Sequence, residues 1–262
     1  MKLRFQIFTV ACLLAALLSA CQTTPPPKPI VKPQQMLTLD EVAQALTQRQ
    51  ESIRNVKSLV KTRVTTREDN HNLKQILAID GDTALRMDTL NLFNQPLGVL
   101  ISKDGHILLF DTDSQKLYRD AEVWDIMIRI FGAVFDFREY IHVFSGRIPR
   151  LASLEMKDMQ WSPETGNYHI HATDPQSGVR LEIEVDPQTL LPVRLIKRQG
   201  ERELYRALWE NYQTAGGEIP FPFKITVERP AQGDSVALKF NDPLLNQGVP
   251  PDTFELSVPE SD

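Results

Sequence analysis

The sequence predicts a mainly β domain with some helix: a large curved antiparallel sheet whose concave face is covered by about three helices. Three observations carry this. Apolar and polar residues alternate over about ten or eleven short runs. The connections between runs are too short for parallel crossovers. The alternation is interrupted once, between residues 122 and 149, by apolar residues at helical spacing.

Taken in order, the chain opens with a secretion signal. Lys2 and Arg4 give a positive start, and Phe5 to Leu18 is mostly apolar but too short to span a bilayer comfortably. Leu18-Ser19-Ala20-Cys21 resembles the bacterial lipobox, in which small residues precede a cysteine that is acylated on sulfur and becomes the new N-terminus. The expected organisation is therefore a lipoprotein signal over 1–20, a lipidated Cys21 with a tether over 21–36, and one folded domain over 37–262. Pro25, Pro26, Pro27, Pro29 and Pro33 favour an extended spacer, reaching roughly 40 Å. Gln22 replaces the Asp associated with inner-membrane retention, which points to the outer membrane, facing the periplasm. No later run approaches bilayer-spanning length, so the membrane is expected to hold the chain through its acyl anchor.

Charge narrows the function classes. The net charge of −5 becomes −7 once Lys2 and Arg4 leave with the signal, because the first twenty residues contain no acid. An acidic chain without a basic stretch argues against nucleic acid and against an electrostatic grip on anionic headgroups. Of the two cysteines, Cys12 leaves with the signal and Cys21 carries lipid. The domain then has no thiol for a disulfide, a metal or a nucleophile and relies on its core.

Thr38 and Glu41 form a capping box that starts a helix running to about Asn55. Leu39, Val42, Ala43, Leu46, Ile53 and Val56 share its apolar stripe. Strands follow at Leu59–Arg67, Leu73–Asp80, Ala84–Leu92, Gly98–Ser102 and Ile107–Thr112, separated by turn-forming residues such as Gly81-Asp82 and Lys103-Asp104-Gly105. Glu122 to Phe135 is apolar nearly all round, which predicts a helix buried on all sides. Asp136 and Glu139 cap a second helix with Phe137, Tyr140, Ile141 and Phe144 on one stripe, ended by Gly146 and Pro149. From Met156 the chain returns to strands. Leu181 and Ile183, Phe223 and Ile225, and Leu238 fall on inward positions and are expected to line an apolar space under the helix pair.

Chemistry is sparse. His169 and His171 share one strand face, opposite apolar Tyr168, Ile170 and Ala172, so they read as solvated outward residues without a third ligand. The chain has five scattered histidines and no G-x-S-x-G, phosphate-loop or H-E-x-x-H motif. No metal, no cofactor and no enzymatic activity are expected. In Asn91-Leu92-Phe93-Asn94-Gln95-Pro96-Leu97-Gly98, Leu92 and Phe93 are expected to fold back onto the core as strand ends. Leu97, between Pro96 and Gly98, is the expected exposed apolar tip.

The order of lipobox, amphipathic helix, strands, Asn94-Gln95-Pro96-Leu97-Gly98, helix pair and further strands resembles LolB, the outer-membrane lipoprotein receptor. The family's N-P-L-G loop is interrupted here by Gln95. Phe144-Ser145-Gly146-Arg147-Ile148-Pro149 is similar to its W-x-x-G-x-P helix end, with the aromatic out of register. Asp186 to Val193 and Pro250 to Leu256 are similar to the wider LolA/LolB-like superfamily. The resemblance implies an open, incomplete barrel with a helical lid and a hydrophobic cavity for acyl chains. It implies a monomer that receives acylated lipoproteins from a LolA-like carrier and releases them at the outer membrane, without a cofactor. It assigns membrane engagement to Leu97 with its neighbours Pro96 and Gly98. A lipid-binding or structural envelope lipoprotein of the same fold, taking no cargo from a carrier, is the alternative.

Overall fold

The structure is a computed structural model and describes residues 32–131 and 136–256. Cys21 and the proline-rich tether up to Val31 lie outside the described residues. Lys32–Asp262 forms one compact unit. Its elements are helix α1 (Leu39–Glu51), strands β1 (Asn55–Thr65), β2 (Asn70–Asp80), β3 (Ala84–Leu90), β4 (Pro96–Lys103), β5 (His106–Asp111) and β6 (Lys116–Arg119), and helices α2 (Ala121–Phe131) and α3 (Phe137–Phe144). Strands β7 (Glu155–Trp161), β8 (Tyr168–Thr173), β9 (Arg180–Val185), β10 (Pro192–Gln199), β11 (Arg202–Ala215), β12 (Ile219–Arg229) and β13 (Asp234–Leu245) follow.

All thirteen strands form one antiparallel sheet in the order β6-β5-β4-β3-β2-β1-β13-β12-β11-β10-β9-β8-β7. The sheet runs out to free edges at β6 and β7, so it is not closed into a barrel. Two antiparallel meanders meet where the last strand, β13, pairs with the first, β1. Short connections dictate the meanders, and the long return through α2 and α3 separates them. The count exceeds the ten or eleven expected; the four-residue β6 is too short to announce itself by alternation.

The register carries the concave face across the sheet without a break. Thr62 faces Leu238, which faces Ile225, which faces Trp209. Leu195 faces Ile183, which faces Ile170. Apart from the polar Thr62, these residues join α1 and α3 in one core cluster. A second, smaller core lies apart from it: Ala78, Ala84, Val99 and Ile101 are covered by Phe254 from the C-terminal segment. Arg86 Nη1 donates to Thr253 O at 2.8 Å and fixes that segment.

Helix α1 begins with the expected capping box: Thr38 Oγ1 accepts from Glu41 N, and Glu41 Oε2 accepts from Thr38 N at 2.7 Å. It ends at Glu51, not near Asn55. Ile53 and Val56 are fully buried, but Ile53 lies in the connection and Val56 in β1, because Asn246 draws the chain into the sheet. Asn246 Oδ1 accepts from Arg54 N at 2.8 Å, and Asn246 Nδ2 donates to Ser52 O at 2.7 Å.

Candidate functional site: the concave face and its two helices

Helix α3 closes half of the concave face firmly. Asp136 caps it by accepting from Arg138 N. Phe137, Tyr140, Ile141, Val143 and Phe144 are all buried. Trp209 of β11, fully enclosed, donates its indole N–H to Val143 O at 3.0 Å. Lys197 of β10 pairs with Glu139 at low exposure for both side chains. Tyr140 stacks obliquely on Tyr205 at 6.0 Å between ring centroids. Burial, reinforced by the Glu139 charge, pushes the Tyr205 phenol well above its ordinary range.

The end of α3 is tied on three sides. Arg147 N donates to His142 O and Gly146 N to Val143 O, the two bonds of a Schellman motif. Gly146 takes a positive φ of 72°, and a Cβ there would stand 2.9 Å from Pro222 Cδ. The side chain of Arg147 is buried and reaches Asp82 Oδ1 at 2.5 Å, Gly81 O at 2.6 Å and Ser145 Oγ at 2.7 Å. From α1, Arg49 donates to Gly146 O at 2.6 Å and lies over the Tyr212 ring. Burial lowers the pKa of both arginines.

Helix α2 is held differently. Val123 is fully buried, whereas Trp124, Ile126 and Met127 are half-buried and Ile128 is 44% exposed. Over Ala121–Ile128 the expectation of burial on all sides is therefore corrected: α2 packs on β5 and β6 along one face, with Trp124 against Phe137; Val134 and Phe135, expected on the same helix, lie outside the described residues. The sheet beneath this half is also looser, with Leu100, Leu109 and Tyr118 only partly buried.

The five residues expected to line a cavity are all inward and all in this core. Leu181, Ile183, Ile225 and Leu238 are buried and Phe223 is half-buried. They lie in β9, β12 and β13, nearer α3 than α2 in strand order. Buried polar side chains, Thr62 and Gln75 among them, interrupt the apolar surface. Thr62 Oγ1 is buried and has no hydrogen-bond partner among the described residues. Gln75 is fixed to Thr89 through its amide nitrogen.

The β3–β4 turn departs from expectation. Leu92 is 96% exposed and Phe93 82% exposed. They do not fold back onto the core, because Asn91 closes the turn on its polar atoms. Its Oδ1 accepts from Phe93 N at 2.8 Å and from Gln95 N at 3.0 Å. Asn94 takes a positive φ of 62°. The two side chains are left pointing to solvent. Pro96, Leu97 and Gly98 begin β4, with Leu97 40% exposed. The Asn at the first turn position was the available sequence signal for this geometry.

His169 and His171 lie outward as expected. His171 Nδ1 is 2.7 Å from Asp158, and His169 Nε2 is 2.9 Å from Thr165 Oγ1. Among the described residues no cluster of His, Cys, Asp and Glu has the makings of a metal site. No described helix is long and apolar enough to cross a membrane.

An open antiparallel sheet with α1 and α3 packed into one core and α2 half-covering the rest has structural counterparts. No protein-family model and no curated protein matches the sequence. Solved structures resemble the chain in fold. A DUF1329 family protein from Desulfovibrio piger aligns with a TM-score of 0.61 at 13% identity, over 82% of this chain and 95% of that one. A putative outer membrane lipoprotein-sorting protein domain from Vibrio parahaemolyticus gives 0.56 at 12% identity, over 82% and 95%. A LolA superfamily protein from Nitrosomonas europaea gives 0.54 at 14% identity, over 81% and 96%. The fold of this chain is LolA-like.

Proposed function

We propose that this protein is a lipid-anchored, LolB-like acceptor of acyl chains that helps localise lipoproteins to the outer membrane. Cys21 carries the anchor, and the folded domain faces the periplasm as a monomer. Acylated lipoproteins arrive from a LolA-like carrier and leave into the bilayer without cofactor or covalent chemistry. One observation carries the reading: the apolar concave face is sealed under α3 and only half-covered under α2. Burying an acyl chain gains about 0.8 kcal/mol per CH₂, so a partly covered apolar trough is sufficient for binding. The acyl chain enters on the α2 side, against Leu100, Leu109 and Tyr118. Leu181, Ile183, Phe223, Ile225 and Leu238 support the trough from the packed side.

Membrane engagement belongs to the β3–β4 hairpin. Leu92 and Phe93 form its apolar tip, and Leu97, flanked by Pro96 and Gly98, extends it at the base. Depleting the protein and fractionating other lipoproteins tests the proposal. Accumulation of outer-membrane lipoproteins in the inner membrane or periplasm is expected. An envelope defect with normal lipoprotein sorting would contradict it and point to a lipid-binding or structural role on the same fold.

A further inference from the structure

The outer face of the sheet holds a row of lysines that the sequence conceals. Lys74 of β2 stands opposite Lys61 of β1. Lys61 stands opposite Lys239 of β13, and Lys239 opposite Lys224 of β12. Four adjacent strands thus present four ammonium groups on one level, over ~14 Å at the usual strand spacing. Like charges directly opposite one another destabilise a sheet. The flanking level, Asn72, Arg63, Ala237 and Thr226, contains no carboxylate and adds a fifth cation.

Among the described residues, Lys61, Lys74, Lys239 and Arg63 make no ion pair; Lys224 is matched, by Glu210 at 2.7 Å. The other half of the outer face is the control. There Arg194 pairs with Glu184, Arg198 with Glu182 and Arg206 with Glu203. In a chain of net charge −5, three lysines of the row and Arg63 without an ion pair are a local feature. The row lines a cleft of about 610 Å³. The C-terminal segment covers Ala78 further along β2.

The row also starts at the apolar hairpin. Lys74 Nζ donates to Asn94 Oδ1 at 2.5 Å, within the turn that exposes Leu92 and Phe93. We propose that the outer face of β2, β1, β13 and β12 docks on anionic phospholipid headgroups, with Lys74, Lys61, Lys239 and Lys224 facing the phosphates beside the inserted hairpin tip. Apolar tip and basic row together match a bilayer surface: one meets the acyl boundary, the other the charge above it. This rests on the membrane-facing reading of Leu92 and Phe93.

The test uses residues 32–262, which hold their own continuous core, in flotation with phosphatidylcholine vesicles with and without phosphatidylglycerol. Binding is expected to rise with phosphatidylglycerol and to fall with salt. Lys61→Gln combined with Lys239→Gln should lower partition onto phosphatidylglycerol vesicles about twenty-five-fold, from about fivefold per lysine. Its affinity for phosphatidylcholine should not change. Its thermal midpoint should hold or rise, since a repulsion is removed. The paired Lys→Arg variant should bind like the parent. Unchanged binding by the Gln variant, or tighter binding to poly-glutamate than to phosphatidylglycerol, would overturn the proposal, the latter assigning the row to an acidic protein. Phe93→Ser separates the two readings. If it abolishes binding while the Gln variant behaves like the parent, the row falls and the tip stands. If it binds like the parent while the Gln variant fails, the row stands and the tip falls.

Discussion

Helices α2 and α3 differ in how the sheet holds them, although both are strongly apolar in sequence. Helix α3 buries five side chains and is tied by Trp209, Lys197, Arg147 and Arg49. Among its described side chains, helix α2 buries Val123 and leaves Ile128 44% exposed. Among the described residues, polar ties to the sheet and to α1 distinguish α3. A helix fixed through hydrogen bonds to its carbonyls and its C-cap is part of the wall. A helix held along one apolar stripe can be displaced by another apolar group, which is what an acyl acceptor requires.

The largest effect should come from breaking the fixed half. Trp209→Ala removes an enclosed ring and the bond to Val143 O, and should cost about 3–5 kcal/mol by denaturant unfolding. Arg147→Ala frees the end of α3 and leaves Gly81 O without its charged donor. Since Asp82 is well exposed, the expected loss is about 2 kcal/mol.

The same corner should give the fold an acid sensitivity. Burial, then the Arg147 charge, hold the His142 pKa below its ordinary value, against a smaller opposing pull from Asp82. The folded state resists a proton that the unfolded state accepts. This contribution is complete above the ordinary imidazole pKa of about 6.5 and is lost as pH falls through it toward the folded value. His142→Gln should flatten that slope, measured as denaturant midpoints from about pH 8 down to about pH 5.

The smallest effect on stability should come from the displaceable half. Ile128→Asn touches an exposed position and should move stability by no more than about 0.5 kcal/mol. A loss as large as that of Trp209→Ala would erase the distinction between the helices.

Much of the fold was legible in the sequence because it rests on local patterns. Alternation in Arg180–Val185 and Ile219–Arg229, the Thr38–Glu41 box and the Gly146 stop each act over a few residues. What stayed hidden depends on partners distant in sequence. Ile128 is apolar, yet its exposure is decided by which strands lie beneath α2. Leu92 and Phe93 read as strand ends until the Asn91 side chain is seen capping the turn. The net charge argued against any grip on anionic headgroups, but Lys61, Lys74, Lys224 and Lys239 become neighbours only through strand register. Averaged charge cannot report a row built from one residue per strand.

Acyl-chain binding by residues 32–262 in solution is the most direct measurement. A synthetic lipopeptide carrying acyl chains on an N-terminal cysteine, with a fluorophore on the peptide, is titrated with the domain below its own aggregation concentration. Saturable binding at one lipopeptide per domain is expected, with the non-acylated peptide failing to bind and Trp124 fluorescence changing as the half-covered side fills. Absence of saturable binding by the folded domain, or equal binding of acylated and non-acylated peptide, would contradict an acyl-chain acceptor on this fold.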